Sequence, residues 1–202
     1  MLVDLSIKEF LDETSSSSPA PAGGSVYALT GSLAGSLTLM VANLSTDSEE
    51  IISLRQKGEQ ALEKLKKYID EDTLAFSEVM KSYKLPKTTA EEKALRSTSI
   101  QSALKKASLL PLSIAESCVD VLDLAVKAIQ YGNPNAVSDG AVAGRIAYSG
   151  MWGAIYNVRI NLSSIKDENF VSETREKIVS LIKEGEKLLA EIVALADNKI
   201  GG

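Results

Sequence analysis

The chain has 202 residues, 45% hydrophobic and 24% charged, the ordinary balance of a globular protein able to bury one substantial core, and a single domain over 1–202 is expected. Its net charge of −5 speaks against a nucleic-acid partner, whose phosphates demand a net basic face. One cysteine, Cys118, and no histidine exclude an intrachain disulfide, a multi-thiolate metal site, imidazole-activated nucleophiles and His-based zinc sites, so acid–base work falls to Asp, Glu, Lys, Tyr or the lone thiol.

The opening stretch MLVDLSIKEFLDE mixes acids among its apolar residues and lacks a basic run before a hydrophobic one. No secretory signal is expected there, and a reducing cytoplasm is the natural setting. Ser6 with Glu9 forms a capping box, and Leu5 with Phe10 the flanking hydrophobic pair, so a short helix starts at this point. Pro19, Pro21, Gly23 and Gly24 end it.

Residues 25–44 run uncharged through SVYALTGSLAGSLTLMVANL, about the roughly 20 residues needed to cross a bilayer. Small and polar residues within it (Thr30, Gly31, Ser32, Gly35, Ser36) and the lack of basic flanking anchors point instead to a core or dimer-interface helix. A membrane partner is not expected.

A long amphipathic helix over 49–85 follows, its apolar stripe stepping through Leu62, Leu65, Ile69, Phe76, Val79 and Tyr83. Asp72 fills the slot between Ile69 and Phe76. A carboxylate there is either at the stripe's edge, paired with a cation on a neighbouring helix, or catalytic, because burial raises a carboxyl pKa towards the range an acid–base group needs.

Thr89 with Glu92 opens the next helix, expected to run to Tyr131 with a kink or brief break at Pro111. Gly132, Asn133 and Pro134 stop it. Ser138 is placed to cap a further small-residue helix, 139–162, on which Asn157 and Asn161 lie one turn apart and either bind a ligand or bridge helices. Asp139 in its first turn has the ordinary explanation that acids favour helix N-termini. The last helix, about 170–198, puts Ile178, Leu181, Ile182, Leu188, Leu189 and Ile192 on one face and packs as an outer layer. No alternating strand pattern or repeat is present, and the expected fold is an all-α multi-helix bundle.

Two polar features remain. The turn at 19–25 leads Gly23, Gly24 and Ser25 into a helix N-terminus able to hold an anion or a polar ring substituent. Lys81, Lys84, Lys87, Lys93, Arg96, Lys105 and Lys106 form a basic excess in an acidic chain, either a solvated face or an attractor for a carboxylate-bearing small molecule.

In their order and spacing, PAPAGGS (19–25), IDEDTLAF (69–76), LPKTTAEEK (85–93), SDGAVAG (138–144) and YNVRINL (156–162) resemble the cyclodeaminase domain of formiminotransferase–cyclodeaminases and the related methenyltetrahydrofolate cyclohydrolases. The resemblance covers nearly the whole chain and implies a helical homodimer that binds folate in a crevice near the subunit contact. The family's catalytic Asp of D-x-x-A-F falls on Asp72, and the SDGAVAG match adds Asp139 as a second catalytic candidate, with Ser138 beside it as a substrate-binding one. Gly23, Gly24, Ser25, Lys84, Lys87, Ser138, Asn157 and Asn161 are the candidate substrate-binding residues, with Lys84 and Lys87 on the glutamate tail, polyglutamylated or not. The implied reaction closes 5-formiminotetrahydrofolate to 5,10-methenyltetrahydrofolate with loss of ammonia, its sister reaction hydrolyses the methenyl bridge, and a non-catalytic folate-binding or scaffold protein of the same fold is the remaining alternative. No metal, and no cofactor beyond the tetrahydrofolate substrate, is required. The chain holds no formiminotransferase portion and is not expected to be the bifunctional enzyme.

Overall fold

A computed structural model describes residues 1–201, and these form six α-helices with no strand among them. They are α1 (Ile7–Ser15), α2 (Gly23–Asn43), α3 (Glu49–Tyr83), α4 (Ala90–Tyr131), α5 (Val137–Leu162) and α6 (Glu168–Ile200). Short 3-10 turns at Leu2–Asp4 and Pro134–Ala136 precede α1 and α5. Both capping boxes read from the sequence are formed, Ser6 with Glu9 and Thr89 with Glu92, and each satisfies backbone N–H groups that a helix start leaves free.

α2, α4 and α5 make the middle of the bundle, with α3 laid against α2 and α4, and α6 against α4 and α5. Small residues let the central helices close on one another. A Cβ on Gly150 of α5 would stand 3.4 Å from the backbone N of Gly31 and the carbonyl of Tyr27 on α2, and 3.1 Å from Cys118 Sγ on α4. That approach accounts for the placement of 25–44 and 139–162 in the core. α2 is long and apolar enough to cross a membrane by length and composition, yet 56% of its most apolar window is buried within the bundle. α6 turns Ile178, Leu188 and Ile192 into the core and its charges outward, as its periodicity predicts.

Two local expectations are corrected. α4 does not break at Pro111 but runs unbroken through it. The missing proline N–H leaves the carbonyl of Ala107 without its helical partner, and the side chain of Asn161 on α5 donates to that carbonyl from 2.9 Å. A neighbouring helix thus supplies the hydrogen bond that proline removes. Ser138 does not cap α5, which begins at Val137 with Ala136 at the cap position and no side-chain cap. Asn133 instead caps the preceding 3-10 turn, accepting from the Asn135 N–H, and feeds the chain directly into α5.

Candidate active site

The apolar stripe of α3 changes character along its length. Leu65 and Ile69 are buried at 0% and 2% exposure, whereas Phe76 and Tyr83 are each 43% exposed. The change falls at Asp72, itself only 9% exposed. Beyond it, Phe76 and Val79 form one wall of a cleft of about 760 Å³, within the range of small-molecule sites. Ala22, Gly23 and Tyr27 from the start of α2 and Tyr156, Asn157, Arg159 and Asn161 from the C-terminal turns of α5 also line the cleft.

Asp72 has no cation partner among the described salt bridges. Its neighbour is the start of α2, a helix without a side-chain cap of its own. The Ser25 N–H donates to Asp72 Oδ2 at 3.1 Å, and the Ser25 hydroxyl, 3.5 Å from the same oxygen, donates to the Ile69 carbonyl at 2.7 Å. The carboxyl group also lies directly on Gly24, where a Cβ would stand 2.0 Å from Oδ1. Burial pushes the Asp72 pKa above the ordinary carboxylate value, and the Ser25 hydrogen bonds oppose the shift without cancelling it. The result is a carboxyl group that keeps its proton to higher pH than a solvated one, at the edge of a cleft.

The sequence candidates therefore separate by place. Asp72 and Gly23 line the cleft, while Gly24 and Ser25 lie buried behind them and position Asp72. Asn157 and Asn161 line the cleft from α5, but the Asn161 amide is already engaged with the Ala107 carbonyl and lies 3.4 Å from Asn157 Oδ1. Ser138 and Asp139 sit in the first turns of α5 and are not among the cleft residues. Eighteen residues separate Asp139 from Asn157, roughly 27 Å along a helix.

A second cleft of about 420 Å³ adjoins the first, sharing Leu104, and is lined by Lys87, Lys93, Arg96 and Lys166 with no acidic residue. Arg96 is fixed there by donating from Nε and Nη2 to the Tyr83 carbonyl at 3.2 and 3.0 Å. Gln101 holds the opposite rim, donating to the Ser164 carbonyl and accepting from the Lys166 N–H. Lys87 belongs to this basic cleft, whereas Lys84 caps α3 outside it.

Two cleft residues escape the sequence reading. Tyr27 fits because position 153 is glycine, where a Cβ would come within 2.4 Å of its ring. Arg159 lies over the rings of Trp152 and Tyr156 at 5.5 and 5.9 Å. The signals were slight: Arg159 stands within YNVRINL (156–162) and Tyr27 two residues beyond PAPAGGS (19–25).

A helical bundle with a buried carboxyl group set into the wall of a small-molecule cleft is the class that fold and site define. The family model for formiminotransferase-cyclodeaminase matches residues 6–180. A methenyltetrahydrofolate cyclohydrolase of Methylorubrum extorquens is 36% identical over 96% of this chain and 97% of its own length. The formimidoyltransferase-cyclodeaminase of Rattus norvegicus is 32% identical over 95% of this chain, which spans only 37% of that larger protein. A crystal structure of formiminotetrahydrofolate cyclodeaminase from Thermotoga maritima superposes with a TM-score of 0.87 at 28% identity, covering 99% of this chain and all of that one. The chain belongs to the formiminotransferase-cyclodeaminase family.

Proposed function

We infer that the chain is a folate one-carbon enzyme acting on the carbon held between N5 and N10 of tetrahydrofolate, in the first place as a formiminotetrahydrofolate cyclodeaminase. The observation that carries this is Asp72: a buried carboxyl group with a raised pKa and no cation partner among the described residues, in the wall of a cleft of small-molecule size. In the reaction, N10 attacks the formimino carbon of 5-formiminotetrahydrofolate and gives up its proton. The outer nitrogen, which holds two hydrogens in the protonated formimino form, gains a third in place of the one lost from N10, its bond to that carbon breaks, it leaves as ammonia, and the 5,10-methenyltetrahydrofolate cation remains. Asp72 takes the N10 proton as carboxylate or delivers one to the departing nitrogen as acid, a contribution of ~10²- to 10⁴-fold. No metal or separate cofactor enters this scheme.

Methenyltetrahydrofolate hydrolysis is the second reading, and the near full-length match to the Methylorubrum extorquens cyclohydrolase favours it. There water adds to the methenyl carbon and loses a proton, the bond from that carbon to one of the two folate nitrogens breaks to leave a formyltetrahydrofolate, and the same carboxyl group can take the proton from the water or return one to the released nitrogen. The methenyl chromophore separates the readings. Its appearance from 5-formiminotetrahydrofolate identifies the deaminase, and its accelerated loss the hydrolase. Folate binding with neither change leaves a non-catalytic folate binder and contradicts both enzymatic readings.

The glutamate tail, with any further glutamates, extends in this scheme into the basic cleft of Lys87, Lys93, Arg96 and Lys166. Lys87→Glu combined with Lys93→Glu is expected to weaken binding of a polyglutamylated folate severalfold at low salt and less at high salt, because exposed charges are screened. Lys84→Glu, outside the cleft, is expected to do less. Equal affinity of the double variant and the wild type at low salt would return these lysines to the solvated surface.

A homodimer and a cytoplasmic setting complete the proposal. The dimer is supported by uncovered apolar side chains on α1 and α2, among them Ile7 at 82%, Leu11 at 61% and Leu33 at 57% exposure, beyond what scattered surface residues require. Ser138 and Asp139 would serve such a cleft only from a second copy. A fully buried lone thiol, Cys118, suits a reducing compartment.

A further inference from the structure

The main cleft contains two charged side chains of opposite sign, Asp72 on α3 and Arg159 on α5. Arg159 is exposed, and no carboxylate among the described residues pairs with it. Arg55, by contrast, is taken up by the carbonyls of Ala42 and Ser45 and by the Asp47 carboxylate, and Arg96 by the carbonyl of Tyr83. Arg159 rests over Trp152 and Tyr156, whose ring centroids are 5.4 Å apart. Stacking on aromatic rings fixes a guanidinium and leaves its N–H edge for a ligand, and that edge matches a carboxylate in two parallel hydrogen bonds.

On the folate reading, the ligand is polarised in the same way as the cleft. The one-carbon bridge is cationic in the methenyl form and in the protonated formimino form, and the far end carries the α-carboxylate of the first glutamate. We propose that Arg159 anchors that α-carboxylate, so that the two charges of the cleft fix the direction in which the folate lies, one-carbon bridge on Asp72 and glutamate on Arg159. The first glutamate is a branch point, and the cleft branches with it. Ser163, one helical turn beyond Arg159, lines the same cleft, and Ser164 next to it lines the basic cleft, so a γ-linked tail can leave towards the lysines while the α-carboxylate stays on the arginine.

The test compares kcat and KM for a one-carbon tetrahydrofolate monoglutamate and for its tetrahydropteroate counterpart, which lacks the glutamate. The wild type should favour the glutamyl substrate by ~10- to 100-fold in kcat/KM, the range of a charge-assisted bidentate contact. Arg159→Gln should bring that ratio close to one, with the loss falling on KM for the glutamyl substrate, and Arg159→Lys should restore only part of it. An Arg159→Gln enzyme that keeps the wild-type preference overturns the proposal, as does one that loses kcat equally on both substrates. A wild type that turns over both substrates equally overturns the anchor and leaves the folate reading standing. A wild type that turns over neither overturns both.

Discussion

Gly24→Ala is expected to lower turnover by ~10²-fold, close to the effect of removing Asp72 itself. A Cβ at position 24 would stand 2.0 Å from Asp72 Oδ1, 2.4 Å from Cγ and 2.8 Å from Oδ2, separations that non-bonded atoms do not hold. Asp72 has a short side chain on a helix packed against α2, so its carboxyl group must rotate away from the Ser25 N–H or the two helices must part. Either movement displaces the proton-transferring oxygen, and a misplacement near 1 Å costs about 10²-fold in rate. Stability should change less. Alanine improves helix propensity by about 1 kcal/mol, and overpacking costs about 1–3 kcal/mol in the other direction. Gly23→Ala is the control, because a Cβ there meets the outer end of the Tyr27 ring, with the hydroxyl at 3.0 Å, and not the carboxyl group. Turnover by a folded Gly24→Ala protein at the wild-type rate would show that the Asp72 position is not critical.

Asp72→Asn keeps the size of the side chain and an oxygen that can accept from Ser25 N–H, but removes the titrating proton. Turnover is expected to fall ~10²-fold or more, chiefly in kcat. Stability should move the other way at neutral pH. The folded carboxyl pKa lies above its ordinary value of 3.8 because of burial, so between those two values the folded protein holds a proton that the unfolded chain has released. Wild-type stability therefore declines as pH rises through that window, and the penalty persists above it. Asparagine carries no such penalty. The variant should melt at or above the wild-type temperature at neutral pH, with the difference disappearing as pH falls below the ordinary carboxylate value. A variant that loses both stability and activity at neutral pH would make Asp72 a structural cap of α2.

Asp72 was legible in the sequence because it breaks a periodic apolar stripe, a signal contained within one helix. The caps at Ser6 and Thr89 were legible for the same reason: their partners lie three residues away. The brief break that Pro111 suggests does not occur, because a donor that serves the carbonyl freed by the proline comes from Asn161, 50 residues later, and no local pattern announces it. The same bond explains why an amide stands on the small-residue helix α5. Phe76 and Tyr83 continue the stripe of α3 yet face an open cleft, since periodicity assigns a face to a helix but not what lies opposite. Tyr27 and Arg159 were missed because α2 and α5 are apolar or small around most of their circumference, so sequence spacing alone selects no ligand-facing side. For Ser138 and Asp139, a motif located the residues, while only the packed chain shows that a helix length separates them from Asp72's cleft.

Single-turnover measurement of the methenyl chromophore with wild-type and Asp72→Asn protein, each shown to be folded and saturated with folate, tests the central claim most directly. The account predicts that the wild type changes the chromophore, forming it from 5-formiminotetrahydrofolate or removing it by hydrolysis. It also predicts that Asp72→Asn binds the same folate with little loss of affinity and changes the chromophore ~10²-fold more slowly or slower still. A folded, folate-saturated Asp72→Asn protein that matches the wild-type rate would contradict it.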